Sequence, residues 1–410
     1  ISSLRDLNTI DMKQGATLSL PKGWEIKKLG EVSEYFNGLT YSPKDVSDKG
    51  TIVLRSSNIQ NDELDFSDLV RVNVNIKEKL FLKEGDILMC SRNGSQRLVG
   101  KTAPILNLQE PMTFGTFMMI IRSEISPYLL WFFKTDDFKK QISGGENTMI
   151  NQVTRYMLDE IKIPLPPLPE QQRIVAILDE AFAAIAKALA NAEQNLKNAK
   201  ELFESYLQGV FEKKGEGWEE KMLGEVCNVI GGGTPSKSNN KFYNGDIYWA
   251  TVRDMKGEII ENTEHKITKD AVKKSSTNII PGGNVIIATR VGLGKVCIIG
   301  NDTAINQDLR GVVPINSKKL SVDFLYRWFK SIAHKIVKEG TGATVQGVKL
   351  PFIKSLVIYI PTIKIQHSIV QKLDALSAEI KKLEVLYQKK IVALEELKKS
   401  ILQKAFSGEL

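Results

Sequence analysis

The sequence predicts an α+β protein made of two copies of one mixed α/β module. Each copy ends in a long helix, and the two helices pair as an antiparallel coiled coil about a pseudo-two-fold axis. Three observations predict this. Gly23-Trp24-Glu25-Ile26-Lys27-Lys28-Leu29-Gly30-Glu31-Val32 recurs as Gly217-Trp218-Glu219-Glu220-Lys221-Met222-Leu223-Gly224-Glu225-Val226, with eight of ten positions identical at an offset of 194. Residues Gly145 to Pro166 align with Gly340 to Pro361 at an offset of 195. Ser205, Leu207, Gln208 and Phe211 are matched by Ser400, Leu402, Gln403 and Phe406, each set at the tail of a long helical stretch. Self-similarity at a fixed offset decides an architecture before any single element does.

In order, the chain reads as a first body at 1–170, a first long helix at 171–213, a second body at 214–362 and a second long helix at 363–410. In the first body, Thr51 to Leu54, Asp86 to Cys90 and Met118 to Ile121 are short apolar runs rich in strand formers. Ile247 to Ala250, Asn284 to Ala288 and Val296 to Ile299 are their counterparts in the second. Gly85 to Arg92 pairs with Gly283 to Arg290, so one strand-then-arginine unit recurs in both bodies. Tyr128 to Ile142 and Phe324 to Val337 each predict an amphipathic helix whose aromatic stripe (Trp131, Phe132, Phe133; Trp328, Phe329) packs in the core. The exit of the first body, Pro164-Leu165-Pro166-Pro167-Leu168-Pro169, reads as non-helical, because proline lacks an N–H and restricts its predecessor.

The helix from Gln171 to Phe211 follows. Ile174, Leu178, Ala181, Ile185, Ala188 and Ala192 alternate in steps of four and three and share one face. Its length, roughly 60 Å at ~1.5 Å per residue, exceeds what one small core can cover. Between Gln366 and Phe406 the seam is Ile369, Leu373, Leu376, Ile380, Leu383, Tyr387, Ile391, Leu394 and Ile401, with one slip near Tyr387. So narrow a stripe needs a partner helix, and the other copy is the nearest one.

Composition bounds the function classes. No apolar run approaches the ~20 residues that span a bilayer. The start, Ile1 to Leu20, lacks both an initiator Met and a signal pattern, so a slightly trimmed cytoplasmic chain is expected. Cys90, Cys227 and Cys297 stand far apart with no CxxC, which fits a reducing compartment and argues against a disulfide framework or a thiolate metal site. The net charge of +8 is uneven. Residues 216–362 carry 20 Lys and Arg against 14 Asp and Glu, while residues 1–170 carry 21 against 22. A basic balance points to an acidic partner, most often nucleic acid, but for the first body only a local patch can support that reading.

Catalytic motifs are missing. Gly231-Gly232-Gly233-Thr234-Pro235-Ser236 is not G-x-G-x-x-G, and Arg290-Val291-Gly292-Leu293-Gly294-Lys295 has Thr289 where a P-loop needs glycine. His265, His334 and His367 are isolated, so no metal set is visible. There is no Asn-Pro-Pro or Asp-Pro-Pro run of the kind amino-methyltransferases use. What remains is a vocabulary for phosphates and base edges, in which Arg, Asn and Gln fork onto guanine and adenine and Lys, Ser and Thr engage phosphates. In the first body the candidates are Arg55, Ser57, Asn58, Arg92, Asn93, Gln96, Arg97 and Asn147. In the second they are Thr234, Ser236, Lys237, Arg253, Arg290, Lys295, Asn306, Gln307, Arg310, Thr344 and Gln346. Asn147, Thr344 and Gln346 lie in Gly-rich polar loops just before each exit. The plain alternative is that these loops are simply solvated.

Taken together, the Gly-Trp…Leu-Gly-Glu-Val start, the exit Ile163-Pro164-Leu165-Pro166-Pro167-Leu168-Pro169-Glu170-Gln171-Gln172-Arg173-Ile174-Val175, the long helix, and a second round ending in Lys404-Ala405-Phe406-Ser407-Gly408-Glu409-Leu410 resemble the specificity subunit of a type I restriction–modification system. The resemblance covers essentially the whole chain. It implies two target recognition domains, each reading one half of a split asymmetric double-stranded DNA site, and an antiparallel coiled coil that fixes the gap. It also implies no catalysis in this chain. Two modification subunits and the restriction subunits would bring S-adenosylmethionine, ATP and Mg²⁺. The second copy departs at Ile360-Pro361-Thr362-Ile363-Lys364-Ile365, where Ile365 replaces Glu170 of the first. The second body's Gly232-Gly233-Thr234-Pro235-Ser236 replaces Asn37-Gly38-Leu39-Thr40, so the two readers are of different subtypes. The competing readings are a stand-alone DNA methyltransferase or nuclease, and a coiled-coil scaffold with no DNA role.

Overall fold

The two repeated decapeptides have a direct structural meaning. In a computed structural model, which describes residues 20–143, 152–340 and 347–410, Glu25–Lys28 pairs antiparallel with Lys162–Leu165, so the start of the first body is stitched to its exit. Glu219–Met222 pairs with Val357–Ile360 in the same way. The following Leu-Gly-Glu-Val forms one helical turn in both copies. Its glutamate accepts from the backbone N–H that precedes the turn, Lys28 N to Glu31 at 2.9 Å and Met222 N to Glu225 at 2.9 Å. Leu29 and Leu223 are fully buried beneath it. The repeat is thus a closure device: a buried apolar anchor, and a carboxylate that accepts a backbone N–H at the start of a short helix.

The chain forms two compact units, Ile1–Asn191 with Lys390–Leu410, and Ala192–Lys389. In the first, an antiparallel sheet has the order Glu34–Asn37, Met118–Arg122, Ile87–Cys90, Thr102–Pro104. A second sheet has Val46–Leu54 between Val70–Val72 and a parallel neighbour, Met112–Phe114. The second unit repeats this plan. Cys227–Gly231, Leu309–Pro314, Val285–Ala288 and Val296–Ile299 form the first sheet, extended by Ile259–Ile260. His265–Ile267, Ile247–Ala250 and Thr303–Ile305 form the second, again with a parallel pair, extended by Asn278–Ile280. The extra edge strands are the main topological difference between the copies.

The central strands read as unbroken apolar runs because both of their faces are buried. Leu88, Cys90, Met118 and Ile120 face a core shared with Ile52, Leu54 and Phe114. Ile87, Met89, Met119 and Ile121 face the aromatic helices. In the second unit Val285 and Ile287 divide from Ile286 and Ala288 in the same manner. The aromatic stripe is core, as its spacing predicts. Each of the two expected helices is broken in two, however: Ser126–Phe132 and Asp136–Ser143, then Val322–Ser331 and Ala333–Glu339.

The long helices run Leu168–Glu212 and Ile363–Ser407; the first starts before the expected Gln171, the second at the expected boundary. Pro169 is helical after all, because in the first turn its missing N–H has no intrahelical acceptor to lose. Gln171 and Gln366, equivalent and buried, lock the entry by donating to Pro166 O at 2.8 Å and Pro361 O at 2.9 Å. In the first unit Ile174, Leu178 and Phe182 from the head of one helix share a core with Ile401, Leu402, Ala405 and Phe406 from the tail of the other. In the second unit Ile369 and Leu373 meet Phe203, Leu207 and Phe211. Head meets tail in both units, which is the antiparallel pairing that the seam predicts. The exception is Leu383, 38% exposed and off the seam.

One acidic position on the long helix ties each body down. Trp131 Nε1 donates to Asp179 at 2.9 Å, and Arg327 Nη2 donates to Asp374 at 2.5 Å. Arg327 also reaches Glu258 at 3.3 Å, which Lys381 approaches from the helix. The equivalent carboxylate thus holds an indole in one unit and a guanidinium in the other.

The three cysteines are unpaired and buried. Burial pushes the Cys227 thiol up to about 12, the Cys297 thiol up to about 11, and Cys90 upward as well. Because the thiolate is the reactive form, iodoacetamide at pH 8 is expected to label none of them in the folded protein and all three in denaturant. Rapid labelling of the native protein, read by intact mass, would contradict this.

Candidate nucleic-acid interface

Both units gather their polar loops at the same end of the sheets. In the first, Gly115 N donates to Leu54 O, Arg92 N and Ser91 N donate to Phe117 O, and Val153 N donates to Ser91 O. Asn93 Nδ2 donates to Ser56 Oγ at 3.0 Å. These bonds bring the loops 55–58, 91–97 and 115–117 together. In the second, Asn306 N donates to Ala250 O, Thr289 N to Asp308 O and Val348 N to Thr289 O. The loops 251–254, 289–295 and 306–310 thereby converge in the same arrangement.

The opening glycines serve one purpose despite their different surroundings. A Cβ on Gly38 would lie 2.0 Å from Gly115 O, and one on Gly232 would lie 2.0 Å from Asn306 O. Backbone crosses backbone too closely there for any side chain. The sequence contrast between Asn37-Gly38-Leu39-Thr40 and Gly232-Gly233-Thr234-Pro235-Ser236 therefore conceals a shared crossing.

The structure separates the sequence candidates by what their polar atoms are already doing. Asn58 is fully buried; its amide accepts from Arg55 N and donates to Asp65 O and Asp68 O. Asp254 caps the equivalent turn through Thr251 N at 2.7 Å. Asn306 is buried and spends its amide on Asp308. These two asparagines build turns and are corrected from base readers to loop organisers, because a buried amide with its bonds made offers nothing to a ligand. Asn93 likewise bonds Ser56 and Ser95. Arg55 is committed to Asp68 at 2.7 Å. Thr234 is bonded to Gln307, and Arg310 gives Nη1 to Gln307 O and Leu309 O.

Ser57, Arg92, Gln96 and Arg97 are exposed at the first cluster, as are Ser236, Lys237, Arg253, Arg290, Lys295 and Gln307 at the second. Ser57 and Arg253 occupy the same apex of equivalent turns. Asn147, Thr344 and Gln346 lie outside the described residues.

Two residues escaped the sequence reading. By strand register Phe117 and Asp308 are equivalent, since Cys90 pairs with Met118 and Ala288 pairs with Leu309. Phe117 is 55% exposed, with the Arg92 guanidinium 5.9 Å above its ring. Asp308 lies 3.7 Å from Arg290 Nε. The available signal was positional, because each residue immediately precedes the inner strand. Burial, and then the nearby charge of Arg290, hold Arg310 below its ordinary value. Two guanidiniums therefore crowd one carboxylate, and an incoming anion would relieve that excess of positive charge.

The pattern of the type I restriction modification DNA specificity domain matches this chain twice, over residues 21–195 and 215–388. The chain belongs to the type I specificity-subunit family. The EcoKI specificity subunit of Escherichia coli K12 is 25% identical over 422 residues, covering 95% of this chain and 90% of that relative. The EcoR124I/EcoR124II specificity subunit of Escherichia coli is 33% identical over 234 residues, and this match spans 54% of this chain and only 56% of that relative. Among solved structures, the HsdS subunit from Thermoanaerobacter tengcongensis superposes with a TM-score of 0.64 at 21% identity, covering 96% of this chain and 98% of that one. A chain from a type I R-M system solved to explain complex assembly and conformational transition gives 0.77 at 20% identity, covering 96% and 100%. At such identities the likeness is one of fold. Among the described residues, no three His, Cys, Asp or Glu side chains are grouped to hold a metal ion, and no helix is long and apolar enough to cross a membrane.

Proposed function

We propose that this chain is the DNA sequence-reading subunit of a type I restriction–modification enzyme, with one half of a split, asymmetric site read by each unit. The observation that carries this reading is the repeated loop cluster. The same strand end presents an exposed arginine in both units, Arg92 and Arg290, among tips that otherwise differ. Two identical clusters would suit a palindrome, whereas two different ones suit two different half-sites. Arginine is the side chain best matched to guanine O6 and N7 in the major groove. The long helices set the distance between the half-sites and offer the surface on which two modification subunits dock; restriction subunits join that complex. S-adenosylmethionine, ATP and Mg²⁺ belong to those partners, the chain itself is non-catalytic, and the assembly works in the cytoplasm.

Arg92→Ala and Arg290→Ala are each expected to weaken binding of the cognate duplex by about 1–3 kcal/mol and to relax specificity in one half-site only. The check is a gel-shift titration with the assembled methyltransferase at fixed salt. A loss no larger than that of Lys197→Ala, a helix-surface control, would remove both arginines from the site. Methyl transfer by the isolated chain would overturn the non-catalytic assignment and favour the stand-alone enzyme.

A further inference from the structure

We infer that Phe117 is a specificity-determining residue that meets the C5-methyl group of a thymine beside the base read by Arg92. This inference rests on the DNA-reading role proposed above and names a base contact within it.

The argument starts from a substitution between equivalent positions. In the second unit the residue before the inner strand is Asp308, whose side chain is only 16% exposed and faces Arg290. It positions a guanidinium and has little surface left for a ligand. In the first unit the same position is Phe117, more than half exposed. Its backbone carbonyl keeps the structural duty, accepting from Ser91 N, Arg92 N and Ser91 Oγ. The ring is therefore not needed to hold the loops together, and it stands in water at the centre of a polar cluster.

A lone exposed apolar side chain on a surface is ordinary. This one is placed differently. Arg92 lies over its face, within the range at which a ring quadrupole attracts a cation. Ring and guanidinium thus form one composite tip with an apolar half and a hydrogen-bonding half. In the major groove of DNA only thymine presents an apolar group, its C5-methyl, and only guanine presents two acceptors to an arginine fork. A composite tip of this kind matches a guanine and a neighbouring thymine. The second unit, with Asp308 in place of the ring, lacks the apolar half and makes no such demand.

Uracil differs from thymine in a base pair by that methyl alone, so it isolates the contact. The assembled methyltransferase would be given its selected site in duplexes where each thymine in turn is replaced by deoxyuridine. At one thymine of one half-site, wild-type binding is expected to fall about fourfold, the worth of one buried methyl group. With Phe117→Ala, an exposed position that the fold tolerates, binding of the all-thymine duplex is expected to fall similarly and the uracil effect at that thymine to disappear. Uracil tolerated everywhere by the wild type, a uracil effect that persists unchanged in Phe117→Ala, or a pair of half-sites containing no thymine on either strand would each overturn the contact while leaving the split-site reading intact. Failure to select any split site would instead remove the DNA-reading role itself.

Discussion

Phe406→Ala is expected to destabilise the first unit by about 3–5 kcal/mol, the usual cost of truncating a buried phenylalanine. Its ring lies 5.0 Å from Tyr128 and 5.6 Å from Phe132 by centroids, at the bottom of the first body's aromatic stripe. The residue comes from the far end of the chain. Phe211 does the same for the second body, 5.1 Å from Phe324, but comes from the end of the helix that leads directly into that body. The repeated tail motif therefore supplies each body with one aromatic plug, and the first body receives its plug from the second helix. Hydrogen exchange localises the effect. Protection should fall in Ile87–Cys90 and Met118–Arg122 and hold in Val285–Ala288. An unchanged unfolding midpoint, or a loss confined to the second unit, would show that the tail is not part of the first core.

Asp86→Ala comes next in size, at about 3 kcal/mol, the lower end of the range for breaking a buried pair because Arg122 keeps some access to water. Asp86 is 1% exposed and accepts from Arg122 Nε at 2.6 Å and Nη2 at 2.7 Å, with Lys83 N at 2.9 Å as a third donor. The pairing also holds Arg122 above its ordinary value. Removing only the carboxylate strands a guanidinium against the Phe36 ring, 4.8 Å away. The double substitution Asp86→Leu with Arg122→Met should recover most of the loss, since replacing both charges by apolar groups is near neutral. Chemical denaturation of Asp86→Leu, Arg122→Met and the double variant decides the matter, and additivity of the two single losses would contradict the pair. The pair lies at the opposite end of the strands from Arg92, so any effect on DNA binding should track stability alone.

The sequence makes the long helices and the repeat legible because both signals are local: periodicity for one, identity for the other. It also makes the central strands legible, since burial on two faces writes an unbroken apolar run. The two- and three-residue strands, such as Ile259–Ile260, are invisible because tertiary pairing and not propensity creates them. The break in each aromatic helix is hidden for a similar reason, since both halves continue one apolar pattern. At the site, the positions after strands were legible and the roles were not. Asn58 and Asn306 have the residue type of base readers, yet burial turns them into caps, and burial cannot be read from type. Nothing in the residue type of Phe117 marks it; only the strand register makes it the counterpart of Asp308, and only the fold sets it beside Arg92.

Under the proposed function, the paired helices fix the gap between the two half-sites. The most direct measurement is selection of bound duplexes by the assembled methyltransferase, once with the natural chain and once with both long helices shortened by the same number of residues. The expected result is a split site in each case, with the same two half-sites and a different gap. An undivided site, or a gap unchanged by the shortened helices, would contradict it.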